Sequence, residues 1–206
     1  GTLVTSNGNY HGGGIWADGP LSLEAVTMMN NTTIRDGGAI YGESEVPIAI
    51  SNSVIRDNSS RRAGAISARI LQIDNTIIRN NTAQNGPGGV GLAPSSFSSI
   101  TNSVIIENQA TQGIGGIYVA NGNAVTTFTD NLISDNVGEL SHSFYADDVF
   151  IYNTQVVMTG NCFVTPGSSR ALFFQIGSPE DAVIINNWWG STTGPSGYGN
   201  GFGTTI

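Results

Sequence analysis

The sequence predicts an all-β fold: a single-stranded right-handed parallel β-helix, about eight coils of 23–28 residues, with an internal asparagine ladder. Three observations predict it. A seven-residue motif recurs eight times along the chain. A glycine-rich second track recurs between its copies. Both tracks are short aliphatic and β-branched runs broken by Gly, Asn, Asp and Ser, which is the pattern of strand and turn rather than helix.

The motif is clearest as Asn-Ser-Val-Ile-Arg-Asp-Asn at 52–58, and it returns at 75–81, 102–108 and, altered, 130–136. Upstream copies fall at 1–7 and 25–31, downstream copies at 155–161 and 181–187. Its last position is Asn7, Asn31, Asn58, Asn81, Asn108, Asn136, Asn161 and Asn187, at spacings of 24, 27, 23, 27, 28, 25 and 26. Asparagine makes up only 21 of 206 residues, so its presence in every copy is a constraint rather than composition. Three positions earlier stand Val4, Met28, Ile55, Ile78, Ile105, Ile133, Met158 and Ile184, which the sequence assigns to one core column. Side-chain amides carry both donor and acceptor, so stacked asparagines can bond from coil to coil. Asparagine also tolerates the left-handed backbone of a tight turn.

The second track reads Gly-Gly-Gly-Ile-Trp from Gly12, Gly-Gly-Ala-Ile-Tyr from Gly37 and Ala-Gly-Ala-Ile-Ser from Ala63. It continues from Gly88 and Gly115 and fades at Ser141 and Arg170. Its glycines suit close approach between coils. Trp16, Tyr41, Phe144 and Phe173 on this track read as packing residues rather than a sugar platform. The solenoid is expected to span 1–190, with 191–206 a glycine-rich tail or the start of a further segment.

Charged residues are 11% of the chain, lysine is absent, and the net charge is −8. That balance argues against nucleic acid and anionic membrane as partners. No apolar run is long enough to be a transmembrane helix. The lone Cys162 allows no internal disulfide and reads as a small buried filler.

The asparagine motif combined with Gly-Gly-Ala-Ile-Tyr resembles the repeats of bacterial right-handed β-helix surface proteins, including the polymorphic outer-membrane type. Asn186-Asn187-Trp188-Trp189-Gly190 through Pro195 resembles the motif that closes the last coil in many secreted β-helix proteins. The resemblance covers essentially the whole chain and implies the pectin-lyase-like fold. It implies little about activity, since this solenoid hosts lyases, hydrolases, adhesins and passive stalks.

Polygalacturonase-like chemistry needs convergent carboxylates. The best-placed candidates are the adjacent Asp147 and Asp148, with His142 five residues before the pair. The aligned repeats place the pair on a variable outer turn, so no catalytic residue is assigned. A second candidate is a glycan or ion face. Asp57, Glu107 and Asp135 share a column with Asn30, Asn80 and Asn186, and Arg56 and Arg79 stack beside it. A solvated face with ion pairs is the plain reading; weak calcium or acidic-sugar binding is the alternative. Arg61-Arg62 is the only doubled basic step. His11 and His142 lie too many coils apart to share a metal, and neither metal nor cofactor is expected.

Nothing resembling a cap precedes Gly1-Thr2-Leu3-Val4, so the expectation is a piece of a longer solenoid or an edge covered by another subunit, end to end. The functional expectation is a non-enzymatic extracellular or cell-surface β-helix serving as stalk, adhesin or filament subunit. The alternative is a carbohydrate-active enzyme or a passive polysaccharide-binding module.

Overall fold

The computed structural model describes residues 1–5, 8–139, 146–164, 171–175 and 181–190. Asn7, His142, Phe144 and the tail 191–206 lie outside the described residues. The first coil carries β1 (Thr2–Thr5), β2 (Gly8–Asn9), β3 (Ile15–Ala17) and β4 (Leu21–Glu24). Each strand begins a parallel sheet that runs up the rod. Sheets A, C and D, starting from β1, β3 and β4, contain seven strands each, and sheet B, starting from β2, contains six. A strand pairs only with its equivalents one coil below and one coil above.

The described chain therefore makes six complete four-strand coils and part of a seventh, not eight. The difference has a specific origin. The first six motif copies place their strands on sheet A, where Val4, Met28, Ile55, Ile78, Ile105 and Ile133 stack in register. The residue that follows Ile133 in that column is Phe163, not Met158. Met158 and Ile184 stack on Phe128 in sheet D. The last two copies thus belong to another side of the coil, although all these residues face the same apolar interior.

Strand alternation puts one apolar column inside sheet A and two inside each of sheets C and D. Ile40, Ile66, Ile78, Ile100, Ile105 and Phe128 are fully buried there. Two corners then need polar solutions, because their backbone groups turn away from the sheet ladders. At the corner from sheet A to sheet B, each asparagine amide donates to the Oδ1 of the next: Asn31 to Asn58, Asn58 to Asn81, Asn81 to Asn108 and Asn108 to Asn136, each at 2.9 Å. The same Oδ1 atoms accept the backbone N–H of the asparagine before.

At the corner from sheet D to sheet A a second ladder runs through Ser53, Thr76, Ser103, Asn131, Asn161 and Asn187. Asn161 and Asn187 therefore do not extend the first ladder. They belong to the second, whose earlier rungs are hydroxyls. The residue before each rung is left-handed: Asn30, Asp57, Asn80, Glu107 and Asp135 at one corner, Asn52, Asn75, Asn102, Asp130, Gly160 and Asn186 at the other. The backbone explains why Asn and Asp recur in these columns, since their short polar side chains tolerate positive φ. Asn186 consequently belongs with the second corner and not with Asp57, Glu107 and Asp135.

Between sheets B and C the coils approach closely. A Cβ on Gly115 would lie 2.3 Å from the Val137 amide nitrogen, so this position admits no side chain. At the last coil Trp189, 8% exposed, stacks on Phe163 with ring centroids 4.8 Å apart.

Candidate functional site

The acid pair does not sit on an outer turn. Gly116 donates to the Asp147 carbonyl and Ile117 to the Asp148 carbonyl, which places the pair at the glycine positions of the second track. Asp147 is 7% exposed and Asp148 is fully buried. Asp148 Oδ1 accepts the Asn136 side-chain amide at 2.7 Å and the Asn136 backbone N–H at 3.2 Å. It thus supplies the acceptor that every lower rung receives from the next asparagine. Asp147 Oδ1 accepts the Gly138 N–H at 3.0 Å. Both carboxylates are committed to holding the coil, and the third candidate, His142, lies outside the described residues.

On the second candidate face the structure places Arg56 and Arg79 as direct register partners on the outside of sheet A. Arg56 pairs with Asp57 and also donates to the Met29 sulfur at 3.0 Å. Asp57, Glu107 and Asp135 hold the left-handed turn positions beside this sheet. Asp135 accepts from the Ser134 hydroxyl at 2.6 Å. Among the described residues no three His, Cys, Asp or Glu side chains converge as a metal site. Cys162 is half-buried and faces outward beside Leu132 rather than filling the core, and burial pushes its thiol pKa up.

A different feature stands out on sheet C. Its outward column reads Trp16, Tyr41, Ser67, Gly91, Tyr118, Phe150 and Phe173. Aromatic rings cover five of its seven positions. At Ser67 and Gly91 the column is interrupted, and an open groove of about 610 Å³ lies there. Tyr41 and Tyr118 form its end walls, and Ser67 and Gly91 its floor. Three coil steps separate the two tyrosines, or ~14 Å along the rod.

Each tyrosine is braced from the side away from the groove. His11, one coil below, packs on Tyr41 with centroids 4.7 Å apart. Phe150, one coil above, stacks on Tyr118 at 5.4 Å. Burial, then the Glu43 and Asp36 carboxylates, raise the Tyr41 pKa. Burial, then Tyr152, does the same for Tyr118. Both phenols therefore stay protonated at neutral pH and can donate.

Turn residues form the groove's flanks. Arg62 grips Asp36 with two N–O contacts of 2.9 Å, and His11 Nδ1 lies 3.2 Å from the same carboxylate. Arg69 faces Glu45 at 3.9 Å. Asn85 lines the groove as well, and its buried Oδ1 has no hydrogen-bond partner among the described residues.

Sequence reasoning treated the aromatics as packing. That holds for Phe173, which packs in a small satellite cluster with Phe150, Ile114 and Ala146. It fails for Trp16, 53% exposed, whose indole N–H donates to Glu43 at 2.9 Å. The signal was present but read out of register. Val90, not Gly91, aligns with Ile66, and Ile117 aligns with Val90. A one-residue slip exchanges the inner and outer faces of a strand. The slip hid an outward column that is aromatic at both ends and small in the middle.

Comparison with curated proteins and with solved structures returns no match to this chain. The family model described as the right-handed beta helix region matches residues 4–163, which include most of the stacked sheets and all but the last rung of the two ladders. The chain belongs to the right-handed β-helix family.

Proposed function

We propose that this β-helix is a non-enzymatic extracellular recognition module, of the structural or adhesive kind, that holds a glycan against the outer face of sheet C. The observation that carries the proposal is the groove between Tyr41 and Tyr118. Its volume, about 610 Å³, falls within the range of ligand-binding clefts. It combines aromatic walls with a few polar groups that could fix orientation.

Recognition without cleavage is supported by what the carboxylates do. A general acid or base must reach the proton it transfers. Asp147 and Asp148 are buried and serve as backbone and ladder acceptors. Among the described residues Asp36 is the one carboxylate lining the groove, and Arg62 holds it with two contacts. Glycosidase chemistry calls for a pair.

The test incubates the protein with a panel of neutral and acidic polysaccharides and measures both retention and new chain ends. Retention on a polysaccharide, with no new ends after prolonged incubation, is expected. Chain cleavage that disappears in Asp147→Ala or Asp148→Ala would make the protein an enzyme, and failure to bind any polysaccharide would remove the glycan from the proposal.

A further inference from the structure

We infer that the sheet C groove takes an uncharged pyranose oligosaccharide lying along the rod axis, with its ends against the ring faces of Tyr41 and Tyr118. The inference rests on the reading of this groove as a glycan site and adds the charge, length and direction of the ligand.

Direction and length follow from the walls. The two tyrosines lie in one outward column, so a line joining them runs parallel to the rod. Their separation of ~14 Å is twice the outer limit of the ~4.5–7 Å range for ring partners, so a single ring that packs closely on one wall leaves the other. A ligand that uses both walls must be a chain. The apolar face of a pyranose suits an aromatic ring, and its hydroxyls suit the groups between the walls. Those groups are the Ser67 hydroxyl and the Arg62–Asp36 pair.

Charge follows from the pairing. Arg62 is matched by Asp36, and the other lining cation, Arg69, faces Glu45 just outside the groove at 3.9 Å, so the site is close to charge balance and has no cation cluster to grip a uronate or sulfate. The whole chain carries −8, which repels a polyanion at long range. A neutral chain pays neither cost. It can also bond to an Arg–Asp pair without separating it, because the pair presents both donors and acceptors.

The experiment is calorimetric titration of the whole protein with glucose and with cello-, malto-, manno- and xylo-oligosaccharides of increasing length. Oligogalacturonate of matching length is the acidic probe. Three variants accompany it: Tyr41→Ala, Tyr118→Ala and Ser67→Trp. Ser67→Trp fills the gap at an outward position whose column already carries Trp16. Gly91 is not used, because a Cβ there would lie 3.2 Å from the Ala63 Cβ. Thermal melting followed by circular dichroism checks that each variant is folded.

Affinity should climb with chain length for at least one neutral series and then level off once both walls are reached. Each tyrosine variant should weaken binding about tenfold, the scale of one lost aromatic wall, and Ser67→Trp should abolish it. If oligogalacturonate binds and the neutral series do not, while Ser67→Trp still blocks binding, the charge inference falls and the glycan site stands. If a neutral chain binds equally well to all three folded variants, the groove is not the site and both readings fall. If no oligosaccharide binds, both fall together.

Discussion

Asp148 continues a column of amides with a carboxylate, the last acceptor of that column among the described residues. A rung needs an acceptor for two donors of the asparagine below, and a carboxylate oxygen accepts both. Replacing Asp148 by Ala leaves the Asn136 side-chain and backbone donors without that acceptor inside the coil, at a cost of ~1–3 kcal/mol. Asp148→Asn keeps the oxygen and should cost less than Asp148→Ala. Urea denaturation of the two variants checks the order. If Ala is as stable as Asn, the carboxylate does not serve the ladder, and a role for it beyond the fold would have to be sought again.

Two adjacent residues of one turn should respond with opposite signs. Asn108 donates to the Asn136 Oδ1 at 2.9 Å and to the Ile78 carbonyl at 3.1 Å. Asn108→Ala strands several buried groups and should cost ~1–3 kcal/mol. Glu107, immediately before it, adopts φ 57°. Glutamate gains nothing from that conformation, whereas asparagine is at ease in it. Glu107→Asn should therefore leave stability unchanged or raise it by up to ~1 kcal/mol, the scale of relieving one unfavourable left-handed residue. A loss of stability would mean that the Glu107 carboxylate makes a contribution of its own on that face. Chemical denaturation of both variants gives the comparison.

These corners also show what could be read from the sequence. The period, the strand character and the first ladder were all legible, because every coil repeats Asn at one fixed place from Asn31 to Asn136. The second ladder was not, because its rungs change type from Ser53 and Thr76 to Asn131 and Asn161 while serving the same donors. A hydroxyl and an amide oxygen can accept the same N–H, so hydrogen bonding maintains the column without maintaining the residue. Asn161 and Asn187 then imitate the first motif and were assigned to the wrong side. The groove was illegible for a related reason. It consists of what Ser67 and Gly91 lack, and an absence stands out only once the register is right. The buried state of Asp147 and Asp148 was hidden by a larger misalignment: the track was read from Ser141, six residues before Asp147, and two acids at glycine positions do not resemble the repeat they complete.

At the scale of the molecule, contacts join each coil only to its neighbours, so stability should resemble a sum of coil and interface contributions rather than one indivisible core. The sheet hydrogen bonds point along the rod. A force applied along that axis loads them directly, one interface after another. Asn81 and Asn108, equivalent rungs of adjacent coils, are 27 residues apart in the chain. Paid out as extended chain, that coil reaches ~90 Å, against a rise of ~4.8 Å in the stack. Single-molecule stretching should give a sawtooth of steps near ~90 Å. One simultaneous rupture of the entire rod would contradict coil-by-coil opening. A stack of this kind yields under tension by lengthening nearly twentyfold, one turn at a time, before the chain is fully taut. Placed between a surface and whatever it grips, it would act as a shock absorber that dissipates work in small instalments while the remaining coils keep their shape.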